Sequence, residues 1–298
     1  MFEAQYRTEL KYSKKHIKDV VLEEVNLESP IIKDLMKSID EYRTGEYSYG
    51  SKCKRIQGLK TSSLKLAIDL TVIVLTIEAE VSPIQVVISQ LISSMHYKNI
   101  LDAVKTAAEI IAVCEGELYS LLHSSNEDNG TGTLSIKPNY EVSTNVRKFI
   151  DGTKYLPPMV CKPIPWKSNY EGGHLTGSGN VVLGSINHTP RKQNLNTINT
   201  LQKIAWSINT DVLEFVEESK KILDSSEKKA NFLRLVETSE EVYSELLDQG
   251  NKFYFVWKYD FRGRSYSQGY HVNLQGNSYR KALIEFHNKE LLTEEIVK

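Results

Sequence analysis

The stretch from Lys258 to Lys281 holds the side chains best suited to chemistry. Five of its residues are basic (Lys258, Arg262, Arg264, Arg280 and Lys281) and one, Asp260, is acidic. Aromatic residues are interleaved with them: Tyr259, Phe261, Tyr266, Tyr270 and Tyr279. Guanidinium forks match phosphate oxygens, and aromatic faces stack on unpaired bases. Gly263, between two arginines, permits a backbone approach that a Cβ would block. Asp260 could hold an arginine in place through a charge-assisted pair. The same residues also suit a solvated strand end with an ordinary Asp–Arg pair, and both readings stand at this point.

Other reactive patterns are sparse. The histidines, His16, His96, His123, His174, His188, His271 and His287, show no His-x-His or His-x-x-x-His spacing. Cys53, Cys114 and Cys161 form no Cys-x-x-Cys pair. Neither a zinc site nor a disulfide framework is expected, which fits a reducing cytoplasm. There is no phosphate-binding Gly-x-x-x-x-Gly-Lys loop and no Gly-x-Ser-x-Gly elbow. Gly172-Gly173 and Gly177-Ser178-Gly179 open no helical pattern, so no dinucleotide fingerprint is expected. The second pair, ahead of Asn180-Val-Val-Leu183, reads as a hairpin turn. Glu294-Glu295 reads as an exposed helix face, not a metal pair.

Composition sets the frame for these residues. The chain has 298 residues, 40% hydrophobic and 25% charged, with a net charge of −1. That is globular, with room for about two domains. Any nucleic-acid contact must be a local patch, because the global field is weak. The longest apolar run, Leu70 to Ile77, is bounded by Asp69, Glu78 and Glu80. As a helix it would cover only ~12 Å of a ~30 Å bilayer core. No signal-peptide pattern opens the sequence. A soluble, cytoplasmic protein without a membrane partner is expected.

The elements that would position the basic stretch are mostly helices. Val20, Val21, Val25 and Leu27 suggest one short helix, and Ile31, Leu35 and Ile39 the next, before turn chemistry at Gly45 to Gly50. Ser62-Ser63 could cap a helix through Leu66, Leu70, Val74 and Ile77. Ser82-Pro83 reads as N-cap and first position of another, with Ile84, Val87, Ile88, Leu91 and Ile92 as its stripe. A third spans Ile100 to Leu122. Residues 124–133 carry turn chemistry, and a hairpin or a flexible excursion between Tyr119–Leu122 and Leu134–Lys137 fits. Residues 155–190 read as irregular because of Pro157, Pro158, Pro163 and Pro165. Leu201, Ile204, Ala205, Ile208, Val212 and Phe215 predict an amphipathic helix over 194–223, and a second runs from about Glu227 to Leu247. Between Asp211 and Gly250 stand 11 acidic and 5 basic residues, a poor phosphate-tracking surface. Residues 253–272 have strand composition, and a last helix is predicted from Ser278 through Leu283 and Ile284.

Three segments in order carry a family resemblance. They are Leu156 to Trp166 closing on Gly172-Gly173; Asn196 to Leu213 with Asn199, Ala205-Trp206 and Ile208-Asn209; and Phe253 to Tyr266 followed by Asn273 to Asn277 and Lys281-Ala-Leu283. Together they resemble the single-subunit DNA-directed RNA polymerases of phages and mitochondria. The resemblance implies a mainly α fold with a small β component: a helical N-terminal domain, a two-helix thumb and the first strands of a palm. Residues 1–60 would be an unassigned segment and 61–190 the N-terminal domain, with its hairpin near 118–138. Residues 191–250 would be thumb-like helices and 251–298 the start of the palm. In that family the Asp-x-x-Gly-Arg arginines contact the template strand and the RNA–DNA hybrid. Arg262 and Arg264 would be such contacts here, with Tyr266, Lys281, Lys258 and Arg280 beside them. Asp260 and Gly263 would shape the turn, Gln275 and Asn277 would support it, and Trp166 and Trp206 would brace the surrounding structure.

Nucleotide addition needs two metal ions held by carboxylates. In the family these lie in palm and fingers motifs further downstream, beyond Lys298. The resemblance therefore implies no catalytic residue or metal ligand on this chain. A second polypeptide would supply palm, fingers and Mg²⁺, as in a split phage enzyme acting in the host cytoplasm, and this chain alone would be inactive. Its other partners would be a DNA template and the RNA product. The hairpin tip, Ser125 to Thr133, lacks an apolar wedge to cover an unstacked base step. Single-stranded templates, or an accessory single-stranded-DNA-binding factor, are therefore expected. The alternative is a stand-alone nucleic-acid-binding or regulatory protein derived from a polymerase fold.

Overall fold

The computed structural model describes all residues except 78, 126–131, 154, 178, 185–190, 216, 220–221 and 291–298, and the side chains of Ser125 and Glu227. The centre of the expected hairpin tip, Ser178, His188 and Glu294-Glu295 lie outside the described residues. The chain divides into two compact units, one of Met1–Ser13 with Gly152–Lys298 and one of Lys14–Asp151. Residues 1–60 and 61–190 are therefore each shared between the units. Among the described residues helices dominate, with four small sheets whose strand pairs are antiparallel. No helix among the described residues is long and apolar enough to cross a membrane.

Helix α1 (Phe2–Lys11) belongs to the discontinuous unit. The continuous unit follows, with α2 (Lys14–Val25), α3 (Pro30–Thr44), α4 (Gly50–Gln57) and α5 (Ser63–Leu75). Ser29 and Ser62 cap α3 and α5 by accepting from Ile32 N–H and Lys65 N–H. Leu66, Leu70, Val74 and Leu75 of α5 are fully buried against Ile32 and Ile39 of α3. Each such side chain contributes about 1.5–3 kcal/mol on leaving water. Ser82-Pro83 corrects the sequence expectation. It forms a two-residue strand, β1, paired with Ile136 and Ser135, and α6 (Ile84–Leu91) begins one residue later. Sheet pairing takes the backbone that would have capped the helix.

Helix α7 (Ile100–Val113) stops well short of Leu122. Tyr119 instead opens β2 (Tyr119–Ser125), which pairs with β3 (Gly132–Pro138) in the expected hairpin. The buried Tyr119 hydroxyl donates to Ile111 O at 2.6 Å, fastening the hairpin to α7. Helix α8 (Thr144–Gly152) ends this stretch of chain.

The discontinuous unit resumes with β4 (Ile164–Ser168) and β5 (Glu171–Gly173), a hairpin inside the Pro-rich segment. Among the described residues of 194–223, α9 (Leu195–Leu201) alone forms an α-helix. The chain then enters β6 (Trp206–Ile208) and a 3₁₀ turn at Thr210–Glu214. Strand β6 pairs with residues 284–286, Trp206 opposite Phe286 and Ile208 opposite Ile284. The helical periodicity was real, yet ladder bonds from a distant strand override it. Of the two expected thumb-like helices, only α10 (Ser226–Asp248) is long.

Strands β7 (Trp257–Tyr259) and β8 (Ser265–Ser267) follow, then α11 (Ser278–Ala282) and β9 (Ile284–Phe286). The last helix thus ends before Leu283, and Ile284 lies in a strand. The described residues around Gly177 make no hairpin with Asn180–Leu183. Val182 instead bridges Tyr259 in parallel, with Leu183 N–H donating to Tyr259 O at 2.7 Å. Helix α1 joins this unit through two buried polar side chains. Gln5 Oε1 accepts from Val160 N–H, and the Glu9 carboxylate accepts from Leu175 N–H, Thr176 N–H and the Thr176 hydroxyl at 2.7–3.0 Å.

Candidate nucleic-acid interface

Strands β7 and β8 form a hairpin with Lys258 opposite Tyr266 and Tyr259 opposite Ser265. Its loop closes on itself. Asp260 N–H donates to Arg264 O at 2.9 Å, and Gly263 N–H donates to Asp260 O at 3.0 Å. Gly263 has φ +82°, the left-handed geometry that glycine supplies at least cost in such a short hairpin loop.

One carboxylate organises the tip. Asp260 Oδ1 accepts from the backbone N–H of Arg262 and of Arg264, both at 2.9 Å. Its Oδ2 accepts from Arg264 Nε and lies 2.7 Å from Arg264 Nη2. Arg262 Nε stands 3.6 Å from the same oxygen. Desolvation pushes the Asp260 pKa up, but these hydrogen bonds and the Arg264 charge together outweigh it and hold it below the usual value. Both arginines stay exposed beyond the carboxylate. Phe261, 82% exposed, immediately precedes Arg262, and each guanidinium lies 5.4–5.7 Å from an aromatic ring, Phe261 or Tyr266.

The remaining candidates separate. Lys258 Nζ lies 6.0 Å from the Trp166 ring, and burial pushes its pKa down. Lys281 is exposed on α11. Arg280 departs from the expectation because it is buried, not presented to a ligand. Its guanidinium pairs with Glu217 at 2.8 Å and also reaches Tyr270 O and the Ser239 hydroxyl. A buried cation must be matched, and Glu217, 63 residues upstream, matches it.

Gln275 supports the hairpin by accepting from the Ser267 hydroxyl at 3.0 Å, at the end of β8. Asn277 does something else: it caps α11 and donates to Glu217. Trp166 is buried, donates from Nε1 to Gln202 Oε1 at 2.9 Å, and its backbone is paired in both directions with Asn199. Gln202 Oε1 also accepts from Trp257 N–H, which links Trp166 to β7. Trp206 stacks on Phe286 with centroids 4.7 Å apart and braces the β6–β9 pair, not the hairpin. Gln202 and Glu217 carry no signal in the sequence, since each acts on a partner far along the chain. Phe261 was visible there as an aromatic, but its exposure was not. Among the described residues no group of three or more His, Cys, Asp or Glu side chains is placed to hold a metal ion.

No family model matches the chain. It is 27% identical over 180 residues to a probable DNA-directed RNA polymerase of Gelasinospora sp. (strain G114), covering 56% of this chain and 21% of that protein. It is 29% identical over 174 residues to a probable DNA-directed RNA polymerase of Podospora anserina, covering 46% of this chain and 18% of that protein. The chain thus spans about a fifth of the length of these curated relatives. Over about half of its own length it is similar to proteins named as DNA-directed RNA polymerases.

Proposed function

We propose that this chain holds nucleic acid within a DNA-directed RNA polymerase, with the β7–β8 hairpin gripping the backbone of the template strand and the RNA–DNA hybrid. The observation that carries this is the Asp260-stapled tip, which presents Arg262, Arg264 and Phe261 together on a closed loop. Preset guanidinium forks meet phosphate oxygens with little ordering cost, and an exposed ring can cover a base. Lys258 and Lys281 add charge, while Arg280 serves the interior. Helix α10 would act as the thumb.

Nucleotidyl transfer would be completed by Mg²⁺ held on palm and fingers segments, carried by a partner chain in a split enzyme. There the RNA 3′ oxygen attacks the α-phosphorus of the incoming nucleotide and pyrophosphate leaves. The hairpin tip, Ser125 to Thr133, has no apolar residue in its sequence, which suits single-stranded templates or an accessory single-stranded-DNA-binding factor.

The test is binding of a labelled RNA–DNA hybrid over a salt series, followed by RNA synthesis with co-expressed palm and fingers polypeptide. Arg264→Ala should weaken hybrid binding about tenfold and flatten the salt slope by about one phosphate contact. Unchanged affinity and slope would remove the hairpin from the interface. Hybrid binding without RNA synthesis in any reconstituted complex would favour the stand-alone binding protein.

A further inference from the structure

The unit of residues 14–151 carries a surface that the polymerase proposal does not use. On α7, Leu101, Lys105, Ala108 and Ala112 recur at three- and four-residue steps on the outward face, with Ile100 and Val104 beside them. Ile100 and Leu101 are 62% and 64% exposed. Lys98 precedes the helix. Helix α4 is tied to α7 by Arg55 Nη1 donating to the Thr106 hydroxyl at 2.8 Å, and to the segment before α7 by the Tyr97 hydroxyl donating to Arg55 O at 2.6 Å. Residues 50–61 hold four basic side chains and no acidic one.

Two of those cations are spent inside the unit. Arg55 and Lys52 both pair with Glu109, at 2.7 and 3.3 Å. Lys54, Lys60, Lys98 and Lys105 are exposed, and none makes an ion pair among the described residues. Asp102 is the one carboxylate left in the first turns of α7. The surface therefore pairs unspent positive charge with exposed aliphatic side chains. A phosphate backbone would answer the lysines but gain nothing from Ile100, Leu101 and Val104. A partner with an apolar stripe flanked by carboxylates answers both.

We infer that this face of α7, with the adjoining lysines, docks an acidic amphipathic helix of a partner protein. The full chain is titrated with a labelled synthetic helix carrying Leu at i, i+3/i+4 and i+7 with Glu on the flanking positions. The same residues in scrambled order, and a short DNA duplex, serve as competitors. The ordered peptide should bind at least about tenfold tighter than the scrambled one, a difference of about 1.4 kcal/mol. Leu101→Gln and Lys98→Glu/Lys105→Glu should each weaken it at least tenfold, with circular dichroism and melting unchanged. Equal affinity for ordered and scrambled peptides would overturn the inference. So would duplex DNA that outcompetes the ordered peptide and depends on the lysines but not on Leu101.

Discussion

Asp260 shows how little is needed to build a presentable cation. One carboxylate accepts two backbone N–H groups and one guanidinium, so turn geometry and side-chain aim are set together. The two roles can be separated. Asn at 260 keeps an oxygen for the backbone donors but loses the ion pair, and exposed ion pairs contribute little. Asp260→Asn should therefore stay within about threefold of the parent in hybrid affinity, whereas Asp260→Ala should lose about fivefold, the scale of a lost cap. Equal losses in the two variants would show that charge, not the turn, does the positioning. Asp260 and Gly263 were legible in the sequence because the turn chemistry is local. Arg280 was not: its partner Glu217 is distant, and a run of basic residues gives no hint of which one is buried.

At the scale of elements, local signals succeeded where the partner lay nearby. The Ser62 cap, the α5 stripe and the β2–β3 hairpin all follow from adjacent residues. They failed where a remote strand intervened, as when β9 draws Trp206–Ile208 out of the expected helix. Helix α1 escaped notice because it is held by Gln5 and Glu9, polar residues that no apolar periodicity reveals. The β4–β5 hairpin offers an element-level test. Gly172 has φ +145°, and a Cβ there would stand 2.5 Å from Trp166 Cα, so backbone would have to move. Gly172→Ala should cost about 3 kcal/mol by strain and overpacking together. Gly263→Ala meets nothing within 4 Å and should cost about 1 kcal/mol. Urea unfolding of both variants measures the difference, and equal costs would refute the packing argument.

For the whole molecule, the two units can be followed separately. All three tryptophans, Trp166, Trp206 and Trp257, lie in the unit that contains α1, so tryptophan fluorescence reports that unit alone. Burial by itself would raise the Glu9 pKa. The His174 ring, 3.8 Å away, and hydrogen bonds from Leu175, Gln5 and Thr176 outweigh it and hold the group at about 2. A depressed carboxylate stabilises the fold above its unfolded pKa and loses that contribution as pH falls towards the folded value. The unfolding free energy from fluorescence-detected urea titration should therefore fall between about pH 4.5 and 2, by an amount on the order of 3 kcal/mol. Glu9→Gln should be weaker at pH 7 and flatter across that window. A parent and variant with parallel pH profiles would remove Glu9 from the acid response.

The same discontinuity sets an order of events during synthesis. Helix α1 leaves the ribosome long before Val160, Leu175 and Thr176, the backbone groups that its Gln5 and Glu9 must meet. At roughly 5–20 residues per second the wait is on the order of 10–30 s. By the end of that interval residues 14–151 are complete and free to fold around their own core, while α1 still lacks its partners. The nascent chain thus closes from the inside outwards, the inserted unit able to fold before α1 meets the backbone groups it docks on.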